Sequence, residues 1–460
     1  MNPSTTDKDK RINELESQLK EIQFIVIELI AINKSLSDRL AKYEHPKNSS
    51  NSSVPPSKDE NRPFKSKSLR EVSGKKPGGQ PGHEGKTLEM NSAPDVIVAH
   101  NPLYCNHCGL DLGHLPSEMV ERRQVVEIPP IKPIYIEHQV FARTCTCGHT
   151  VIGSFPNGIT PGISYGKSIE SLSAYFYARQ FLPFARMKEM FNDVFSLPIS
   201  EGGIHQVLER ATTKAEPTYK LIQEHIRQAE VVGADETGTR IGKEKGWFWT
   251  WQNEKLTFIV ASMNRGTQTI NKHFGGGFPN AVLVHDCWRS HFEPDVKTHQ
   301  ICIAHLLREL THLDECYDSL WPILFKELLR DAINLKKKLT PSDYLSHMPE
   351  RTDLVRRLTE LIEKPINSNH KELAAFHRRM SKYKNYIFTF LFNPVVPPDN
   401  NGSERAIRNI KVKHKISGYF KSFNGASQFA ILRSVVDTSL KNGQNIIAAL
   451  SQIFSTPYWG

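Results

Sequence analysis

Two apolar stretches of the chain each end in an acidic residue, and this pattern constrains the fold more than any other. The first stretch is VVGAD, residues 231–235, followed by Glu236. The second is AVLVHD, residues 281–286. Such runs predict buried strands, and the ends of neighbouring strands in an α/β sheet are a common place for a ligand site. We therefore expect Asp235 and Asp286 to lie together at one edge of a mixed sheet.

The stretch between these two acids also predicts sheet structure. Residues 246–262, GWFWTWQNEKLTFIVAS, are rich in aromatic and β-branched residues and predict two strands with a turn near residues 253–255. Two carboxylates that meet at a sheet edge repel each other unless a cation lies between them. Hard oxygen ligands suit Mg²⁺ or Mn²⁺. The sequence therefore predicts a divalent-metal site at Asp235 and Asp286.

A third acid lies in PPDNNGSERAIRNIKVKHK, residues 397–415. A turn leads into a helix that starts near Ser403, so Glu404 falls in the first turn, where the helix dipole favours a carboxylate. Residues 405–436 contain no Asp or Glu but many Lys and Arg. One acid that faces a metal, flanked by cations that can bind phosphates, is typical of a helix that holds DNA at a cleavage site. A solvated basic helix is the alternative. The side chains expected to contact DNA are Arg405, Arg408, Lys411, Lys413 and Lys415.

The N-terminal residues 9–44 predict one long helix with a coiled-coil seam, in which apolar residues recur at alternating steps of three and four. Asn33 at one core position is typical of coiled coils that fix their register. We expect the chain to self-associate through this helix, and packing of the helix on its own chain is the alternative. The core positions are Ile12, Leu15, Leu19, Ile22, Val26, Leu29, Asn33, Leu36, Leu40 and Tyr43.

Residues 46–95 are rich in Ser, Asn, Pro, Gly and Lys, which predicts a flexible basic linker, because too little apolar surface is available to offset the ordering entropy. The segment KKPGGQPGH, residues 75–83, has the composition of arms that lie in a DNA minor groove, although a plain linker is the simpler interpretation.

Residues 96–155 contain the paired cysteines of YCNHCG and CTCG. Four thiolates suit one structural Zn²⁺ ion in tetrahedral coordination, and four unrelated core thiols are the alternative. The alternating apolar residues of 124–143 predict strands between the pairs, so we expect a small β-rich zinc-binding module. The expected ligands are Cys105, Cys108, Cys145 and Cys147, with His107 and His149 as substitutes.

Residues 156–230 predict helices. Residues 186–195, a short turn and residues 201–212 give a helix-turn-helix pattern, with Ser200 as the cap of the second helix. This pattern predicts either a DNA-binding helix-turn-helix that enters a major groove or two packed helices without DNA contact.

Several motifs together resemble the DDE-type transposases of the insertion sequence 66 family. They are ADETG, VHDCW, ICIAHLLREL and NNGSERAIRNIK, and KNSSNSSVPPSKD, KKPGGQPGHEGKTL and the paired-cysteine module are similar to that family's N-terminal half. The resemblance implies a ribonuclease-H-like catalytic domain in which Asp235, Asp286 and Glu404 hold two Mg²⁺ ions, or Mn²⁺, for DNA cleavage and strand transfer. Glu236 is the alternative first acid, but adjacent strand residues face opposite sides and the motif favours Asp235.

Other Cys and His residues lie near these motifs. Cys302-x2-His305 resembles a pair found after the second Asp of DDE transposases and predicts either a second metal site, with His299 as a third ligand, or a packed structural pair. His285 is expected either to contact DNA or to orient Asp286. The remaining cysteines of this region, assigned to the core, are Cys287 and Cys316.

The fold class expected from all these patterns is multidomain α+β. The expected order is an N-terminal coiled-coil helix (1–45), the linker (46–95), the zinc module (96–155), a helical region with a candidate helix-turn-helix (156–230), the first part of the catalytic domain (231–305), a helical insertion (306–395) and its last part with the third acid (396–460).

Composition agrees with a DNA-directed function. The 460 residues carry a formal charge of +10, which favours a polyanionic partner. The resemblance implies that this partner is double-stranded DNA, both as element ends and as target. No stretch has the length and apolarity of a membrane span or signal peptide, so we expect a bacterial cytoplasmic protein with reduced thiols. The resemblance also implies small accessory proteins of the same element. Rival interpretations are another Mg²⁺-dependent ribonuclease-H-like nuclease and a non-catalytic, zinc-containing DNA-binding regulator derived from a transposase.

Overall fold

The N-terminal half begins with one long helix. The computed structural model describes residues 5–48, 51–52, 59–61, 82–85, 87–156, 159, 162–366 and 370–455, so most of the predicted linker, including residues 75–81, lies outside the described residues. Helix α1 (Thr5–Glu44) confirms the long helix. Its seam is uncovered in the single chain, where Leu19 and Leu29 are 57% and 58% exposed. Self-association therefore stays a prediction.

The cysteine-containing segment forms less sheet than expected. Strands β1 (Ala142–Thr144) and β2 (Thr150–Ile152) pair antiparallel, with the CTCG sequence in the turn between them. The prediction of strands across residues 124–141 is wrong, because these described residues form none. Three prolines interrupt the segment and remove backbone donors, and its apolar side chains have no second layer to pack against.

A helical region follows and confirms the expected helices. It contains α2 (Lys167–Ala174), a π-helical turn (Tyr175–Arg179), α3 (Phe184–Phe195) and α4 (Glu201–Arg227). Ser200 caps α4 as predicted, since its Oγ accepts a hydrogen bond of 3.0 Å from the Gly203 backbone N–H. The pair α3–α4 has the helix-turn-helix order, and its contact with DNA stays a prediction.

A five-stranded mixed sheet forms the centre of the next region. Its elements are β3 (Val231–Ile241), β4 (Glu244–Gln252), β5 (Thr257–Ser262), α5 (Thr267–Phe274), β6 (Phe278–His285) and β7 (Val296–Ile301). The strand order is β5-β4-β3-β6-β7. The first three strands form an antiparallel meander, whereas β6 runs parallel to β3 and β7 runs parallel to β6. This confirms the mixed sheet and the turn near residues 253–255.

Strand β3 is longer than the sequence predicts. It does not end at Asp235 but continues to Ile241, because β4 pairs with it along Gly233–Ile241. Its pairing with β6, in contrast, covers only Val231–Gly233. Asp235 thus lies inside a strand, just beyond the point where β6 leaves it.

The rest of the chain is helical. It contains α6 (Ile303–Cys316), α7 (Leu320–Lys338), α8 (Pro349–Glu363), α9 (Lys371–Lys382), α10 (Asn401–Ser417), α11 (Phe423–Lys441) and α12 (Ile446–Ser455). This confirms the helical insertion for the described part of residues 306–395. No helix in the part of the chain that the structure describes is both long and apolar enough to span a bilayer.

The sheet has a hydrophobic core on each face. Leu283 of β6 packs into a core shared with α4, α11 and α12. Its neighbours Val282 and Val284 face a second core built from α6, α7, α8 and α9. The alternation of adjacent strand residues between the two cores explains why this strand is continuously apolar. The site described below lies at the end of this doubly covered strand.

The first residues of the predicted linker belong to the folded structure. Asn51 is buried, and its side-chain amide donates a hydrogen bond of 2.8 Å to Glu315 at the end of α6. Asn48 and Asn51 each accept, through the side-chain oxygen, a hydrogen bond from the other's backbone N–H. Lys47 forms an ion pair of 3.3 Å with Glu372 on α9. These residues therefore form an ordered turn that joins α1 to the helical insertion, which corrects the predicted start of the linker.

Candidate active site

The first two acids lie at matched positions of neighbouring strands. Gly233 pairs with Val284 in the last register position that β3 and β6 share. Asp235 and Asp286 each follow two residues later, and side chains two apart on a strand project from the same face. Both carboxylates are half-buried. The structure thus brings the two predicted acids to one edge of the sheet.

The pKa of Asp235 shows that its charge is poorly compensated. Burial raises this pKa well above the usual range, and the nearby carboxylates of Asp286, Glu236 and Glu404 raise it further. The backbone N–H of Glu236, which donates to Asp235 Oδ1 at 2.8 Å, acts in the opposite direction without reversing the shift. The surrounding carboxylates therefore favour the protonated form of Asp235.

The third acid reaches this edge because a buried polar network docks the start of α10 on β3. The Asn400 side-chain amide donates to the Ala234 carbonyl at 2.7 Å, and the Ser403 hydroxyl donates to Asn400 Oδ1 at 2.7 Å. Gln252 of β4 donates to the Ser403 hydroxyl oxygen at 3.3 Å. A Cβ atom on Gly233 would lie 2.5 Å from the Gln252 amide nitrogen, so only glycine fits beneath this network. Glu404 follows directly and is held beside Asp235.

Cys302 supports the same helix start from the other side. Its sulfur accepts a hydrogen bond of 3.2 Å from the Asn400 backbone N–H, and Cys302 itself is fully buried. Burial raises the pKa of this thiol to about 12. Burial lowers the pKa of His305 to about 4, so its imidazole is neutral at pH 7. Cys302 thus packs beneath the start of α10, and a second metal site at Cys302 and His305 stays a prediction.

Glu404 has a counter-ion that sequence analysis missed. Arg308 on α6 donates to Glu404 Oε1 at 2.8 Å, and His305 Nδ1 lies 3.8 Å from the same oxygen. The signal was present in ICIAHLLREL, where Arg308 is one helical turn after His305. Among the described residues, no group of three or more His, Cys, Asp or Glu side chains is arranged to hold a metal ion. Glu404 is paired with Arg308 in this arrangement.

Glu236 is turned to a different environment from Asp235. Its buried carboxylate pairs with Arg265 at 2.9 Å and with His291 Nε2 at 3.1 Å. Burial raises the pKa of Glu236, but His291 and Arg265 outweigh this effect and lower it overall. Because Glu236 already has these two partners, Asp235 is the better candidate for the metal-facing acid.

The remaining His and Cys candidates are internal. His285 is fully buried, with its Nε2 3.2 Å from Nδ1 of His299, and its Nδ1 accepts a hydrogen bond of 3.2 Å from the Cys287 backbone N–H. Burial lowers the pKa of His285 well below its usual value, so the ring is neutral. His285 therefore shapes the turn that carries Asp286 and is not a surface group that could contact DNA. Cys316 is buried, as predicted.

The basic side chains expected to contact DNA differ in accessibility. Arg405, Arg408 and Lys415 are exposed, whereas Lys411 Nζ donates to the Gly238 carbonyl at 2.8 Å. Lys413 must be removed from the set because it is buried.

Lys413 has internal partners instead of DNA. Its Nζ lies 3.4 Å from the carbonyl oxygens of Phe181 and Leu182 and 4.5 Å from the centroid of the Tyr177 ring. Burial lowers its pKa to about 8. Lys413 thus joins α10 to the helical region that precedes the sheet.

The two cysteine pairs form similar turns, of which the first is one residue longer. In the first, the Cys105 N–H donates to Leu110 O at 2.8 Å, and in the second the Cys145 N–H donates to His149 O at 2.8 Å. The glycine that follows each pair, Gly109 or Gly148, has a positive φ of 73° or 86°. Backbone hydrogen bonds lower the pKa of both Cys105 and Cys145. Each turn therefore presents two thiols, of which the first is favoured to ionise.

Comparison with known protein families adds to this geometry. A family model described as Transposase IS66 family matches residues 162–428, which is more than half of the 460-residue chain. A second model, described as Family of unknown function (DUF6444), matches residues 2–89. No curated protein matches the chain. The first match includes the sheet, the helical insertion and all three candidate acids.

Proposed function

The chain belongs to the IS66 transposase family, and from this premise we propose that it cleaves DNA at the ends of an insertion sequence and joins them to target DNA. We propose that the catalytic residues are Asp235, Asp286 and Glu404. The fold around them is then a ribonuclease-H-like domain with a helical insertion. The mixed sheet with helices on both faces supports this assignment. We propose that the protein acts in the bacterial cytoplasm, where the DNA of the nucleoid is accessible.

The observation that carries the proposal is the electrostatic coupling of the three acids. Both Asp286 and Glu404 raise the pKa of Asp235, although Glu404 comes from a distant part of the chain. Protein folding brings mutually repelling carboxylates together at a cost, which is offset where a cation binds. Oxygen ligands of this kind fit Mg²⁺ or Mn²⁺.

The proposed roles of the chain's own residues follow from their contacts. When bound, two Mg²⁺ or Mn²⁺ ions supply Lewis acidity to the attacking and leaving oxygens of an in-line phosphoryl transfer. Asp235 and Asp286 hold this site from the sheet and Glu404 holds it from α10. Arg308 pairs with Glu404 at 2.8 Å, so Glu404 would have to leave this guanidinium in order to hold a metal ion.

DNA recognition is proposed for two surfaces. The first is the helix pair α3–α4, which would bind the element ends as a helix-turn-helix. The second is the set of exposed cations on α10, which would contact phosphates near the cleavage point. The cations that remain in this set are Arg405, Arg408, Lys415 and the partly exposed Lys411.

A structural Zn²⁺ ion is proposed for the cysteine-containing segment. Four thiols on two similar turns, with pKa values lowered in Cys105 and Cys145, suit a soft tetrahedral site. Elemental analysis of the purified protein should find about one zinc per chain, and Cys105→Ser should lower this value while Cys316→Ser should not. Equal zinc content in both variants would contradict the assignment.

Cleavage of a labelled duplex that carries the element's own end tests the proposed activity. Wild-type protein should nick the 3′ end in the presence of Mg²⁺, and Asp286→Asn should reduce the rate by at least about 10²-fold while DNA binding is kept. Accessory proteins of the same element are added if the transposase alone binds without cleaving. Equal cleavage by wild type and Asp286→Asn would show that the proposed triad is wrong.

A further inference from the structure

A stack of cationic and aromatic side chains lies at the surface beside Asp286. The Arg265 guanidinium carbon is 3.8 Å from the ring centroid of Trp288 and 4.8 Å from that of Trp247. Lys245 Nζ lies 4.8 Å from the centroid of the Trp247 ring. We call these four side chains the tryptophan–arginine stack. Trp288 is 37% exposed and the Arg265 side chain 40% exposed, so the stack is open to solvent.

The stack is held in place by a buried carboxylate. Glu236 accepts a hydrogen bond of 3.0 Å from Arg265 Nε and lies 2.9 Å from a terminal nitrogen of the same guanidinium. His291 fixes the other carboxylate oxygen of Glu236 at 3.1 Å. Two contacts from one guanidinium to a buried acid restrict its rotation. The exposed stack is therefore pre-organised before any ligand binds.

An unusual turn directs Trp288 towards this position. Cys287, just before it, has φ of 72°, in the left-handed region that non-glycine residues rarely adopt. The Trp288 backbone N–H donates to Asp286 Oδ1 at 3.0 Å. Backbone strain of this kind persists where the surrounding structure maintains it, and it is concentrated at functional sites. The exposed indole is thus tied to the backbone of a proposed catalytic acid.

This arrangement suits the flat face of a nucleobase. Aromatic rings and arginine planes bind unpaired bases by stacking, because every base has a π face, while neighbouring cations attract the phosphates. A base inside a duplex is already stacked on its neighbours and has no free face to offer. Lys245 and Arg265 supply the cationic charge on the same surface.

We propose that the tryptophan–arginine stack binds an unpaired nucleobase of the DNA strand beside the cleavage point. The base stacks on Trp288 next to Arg265, and the adjoining phosphates lie near Arg265 and Lys245. This inference rests on the proposed function, since it takes the carboxylates beside Trp288 to be the cleavage site. Glu236 acts as a positioning residue that holds Arg265.

Binding of two related DNAs tests the inference without cleavage. The probes are a fluorescein-labelled blunt duplex of the element's end and the same duplex with a short single-stranded overhang at the cleavage point, both without Mg²⁺. Trp288→Ala should weaken binding of the overhang DNA by about 5- to 150-fold and leave blunt-duplex binding within about twofold. Trp288→Phe should keep most of the affinity because it keeps an aromatic face.

Phe392→Ala is a matched control. This exposed ring also lies near an arginine, with the Arg351 guanidinium carbon 5.6 Å from its centroid, but it belongs to the helical insertion. The Phe392→Ala variant should bind both DNAs with the affinity of wild type.

A spectroscopic measurement separates stacking from general folding effects. A 2-aminopurine base in the overhang should lose fluorescence on binding wild-type protein and Trp288→Phe, but not on binding Trp288→Ala. Glu236→Gln should give intermediate quenching, because Arg265 loses its charged partner. Unquenched fluorescence with wild type at saturating protein would overturn the proposal.

The outcomes also distinguish this inference from the proposed function. If Trp288→Ala binds the two DNAs as wild type does, or loses both equally, the stack does not recognise an unpaired base. If overhang selectivity depends on Trp288 but wild-type protein cleaves neither DNA with Mg²⁺, even after accessory proteins of the same element are added, the base site stands and the transposase chemistry is wrong.

Discussion

Asp235 is the residue on which the electrostatics of the site depend. Its carboxyl group is half-buried and faces other acids, whereas its neighbour Glu236 is paired with Arg265 and His291. Adjacent strand residues face opposite sides of a sheet, and this alternation gives the two acids different chemistry. The sequence favoured Asp235 over Glu236 as the metal-facing acid, and this choice stays a prediction. It could not predict the partners of Glu236, which come from a loop and a short 3₁₀ turn.

The raised pKa of Asp235 predicts a pH-dependent stability. In the unfolded chain Asp235 loses its proton near pH 4, whereas in the folded protein it keeps the proton to a higher pH. The free energy of unfolding should therefore fall as the pH rises from about 4 towards the raised pKa. Asp235→Asn removes this penalty and should raise the Tm of the metal-free protein at pH 7 and flatten its dependence on pH.

Thermal unfolding with and without Mg²⁺ measures this effect. Mg²⁺ should raise the Tm of wild type but not that of Asp235→Asn. Glu254→Gln, at an exposed turn, serves as the control and should behave like wild type. A Tm lower in Asp235→Asn than in wild type at pH 7, without Mg²⁺, would contradict the electrostatic account.

At the scale of elements, the candidate site depends on the docking of the start of α10 on β3, which positions Glu404. Local pattern was sufficient to predict this helix and the strands β3 to β6, because helix caps and apolar periodicity act over a few residues. It did not predict β7, and it wrongly predicted strands across residues 124–141. The docking contact between Asn400 and the Ala234 carbonyl joins residues that are 166 apart in the chain. No local pattern carries such information, so Asn400 and Gln252 were not predicted. The same holds for the turn at Asn51, which was predicted to be linker.

Gly233→Ala tests the docking of α10. The new Cβ would lie 2.5–2.7 Å from polar atoms of Gln252, Asn400 and Ser403, so the network has to open. We expect a loss of about 1–3 kcal/mol in the free energy of unfolding and a loss of DNA cleavage. Gly166→Ala is the matched control, since nothing lies within 4 Å of its added Cβ. Chemical denaturation of both variants measures the difference, and equal stability would show that α10 does not depend on this contact.

Asn51→Ala tests the turn that joins α1 to the insertion. The variant loses the hydrogen bond to Glu315 and the reciprocal bond with Asn48, so the turn should open more often. Hydrogen exchange measured by mass spectrometry should become faster in residues 45–52 and at the end of α6. Asn101→Ala, at an exposed position, should leave this exchange unchanged. Unchanged exchange in Asn51→Ala would mean that the turn is held by other contacts.

At the scale of the whole molecule, one chain of contacts links the seam of α1 to the site. The turn after α1 contacts the end of α6 at Glu315, and the opposite end of α6 carries His305 and Arg308 beside Glu404. A second copy bound along α1 would therefore be connected to the site through one rigid helix. The sequence predicted the seam from its heptads but not this connection, which depends on tertiary packing.

Two lysines placed in the seam test self-association. Leu19→Lys with Leu29→Lys puts charges at exposed core positions, where burial in a partner interface becomes costly. Light scattering after size-exclusion chromatography should show an oligomer for wild type and a monomer for this variant. Ser17→Lys with Ala31→Lys adds the same charge off the seam and should remain oligomeric. A monomeric wild type would refute the predicted self-association.

Mn²⁺ binding tests the central claim that Asp235, Asp286 and Glu404, and not Glu236, form one metal site. Calorimetric titration compares zinc-loaded wild type with Asp235→Asn, Asp286→Asn, Glu404→Gln and Glu236→Gln. We expect the first three variants to lose most of the Mn²⁺ affinity and Glu236→Gln to keep it. Loss of binding in Glu236→Gln together with wild-type binding in Asp235→Asn would contradict this claim.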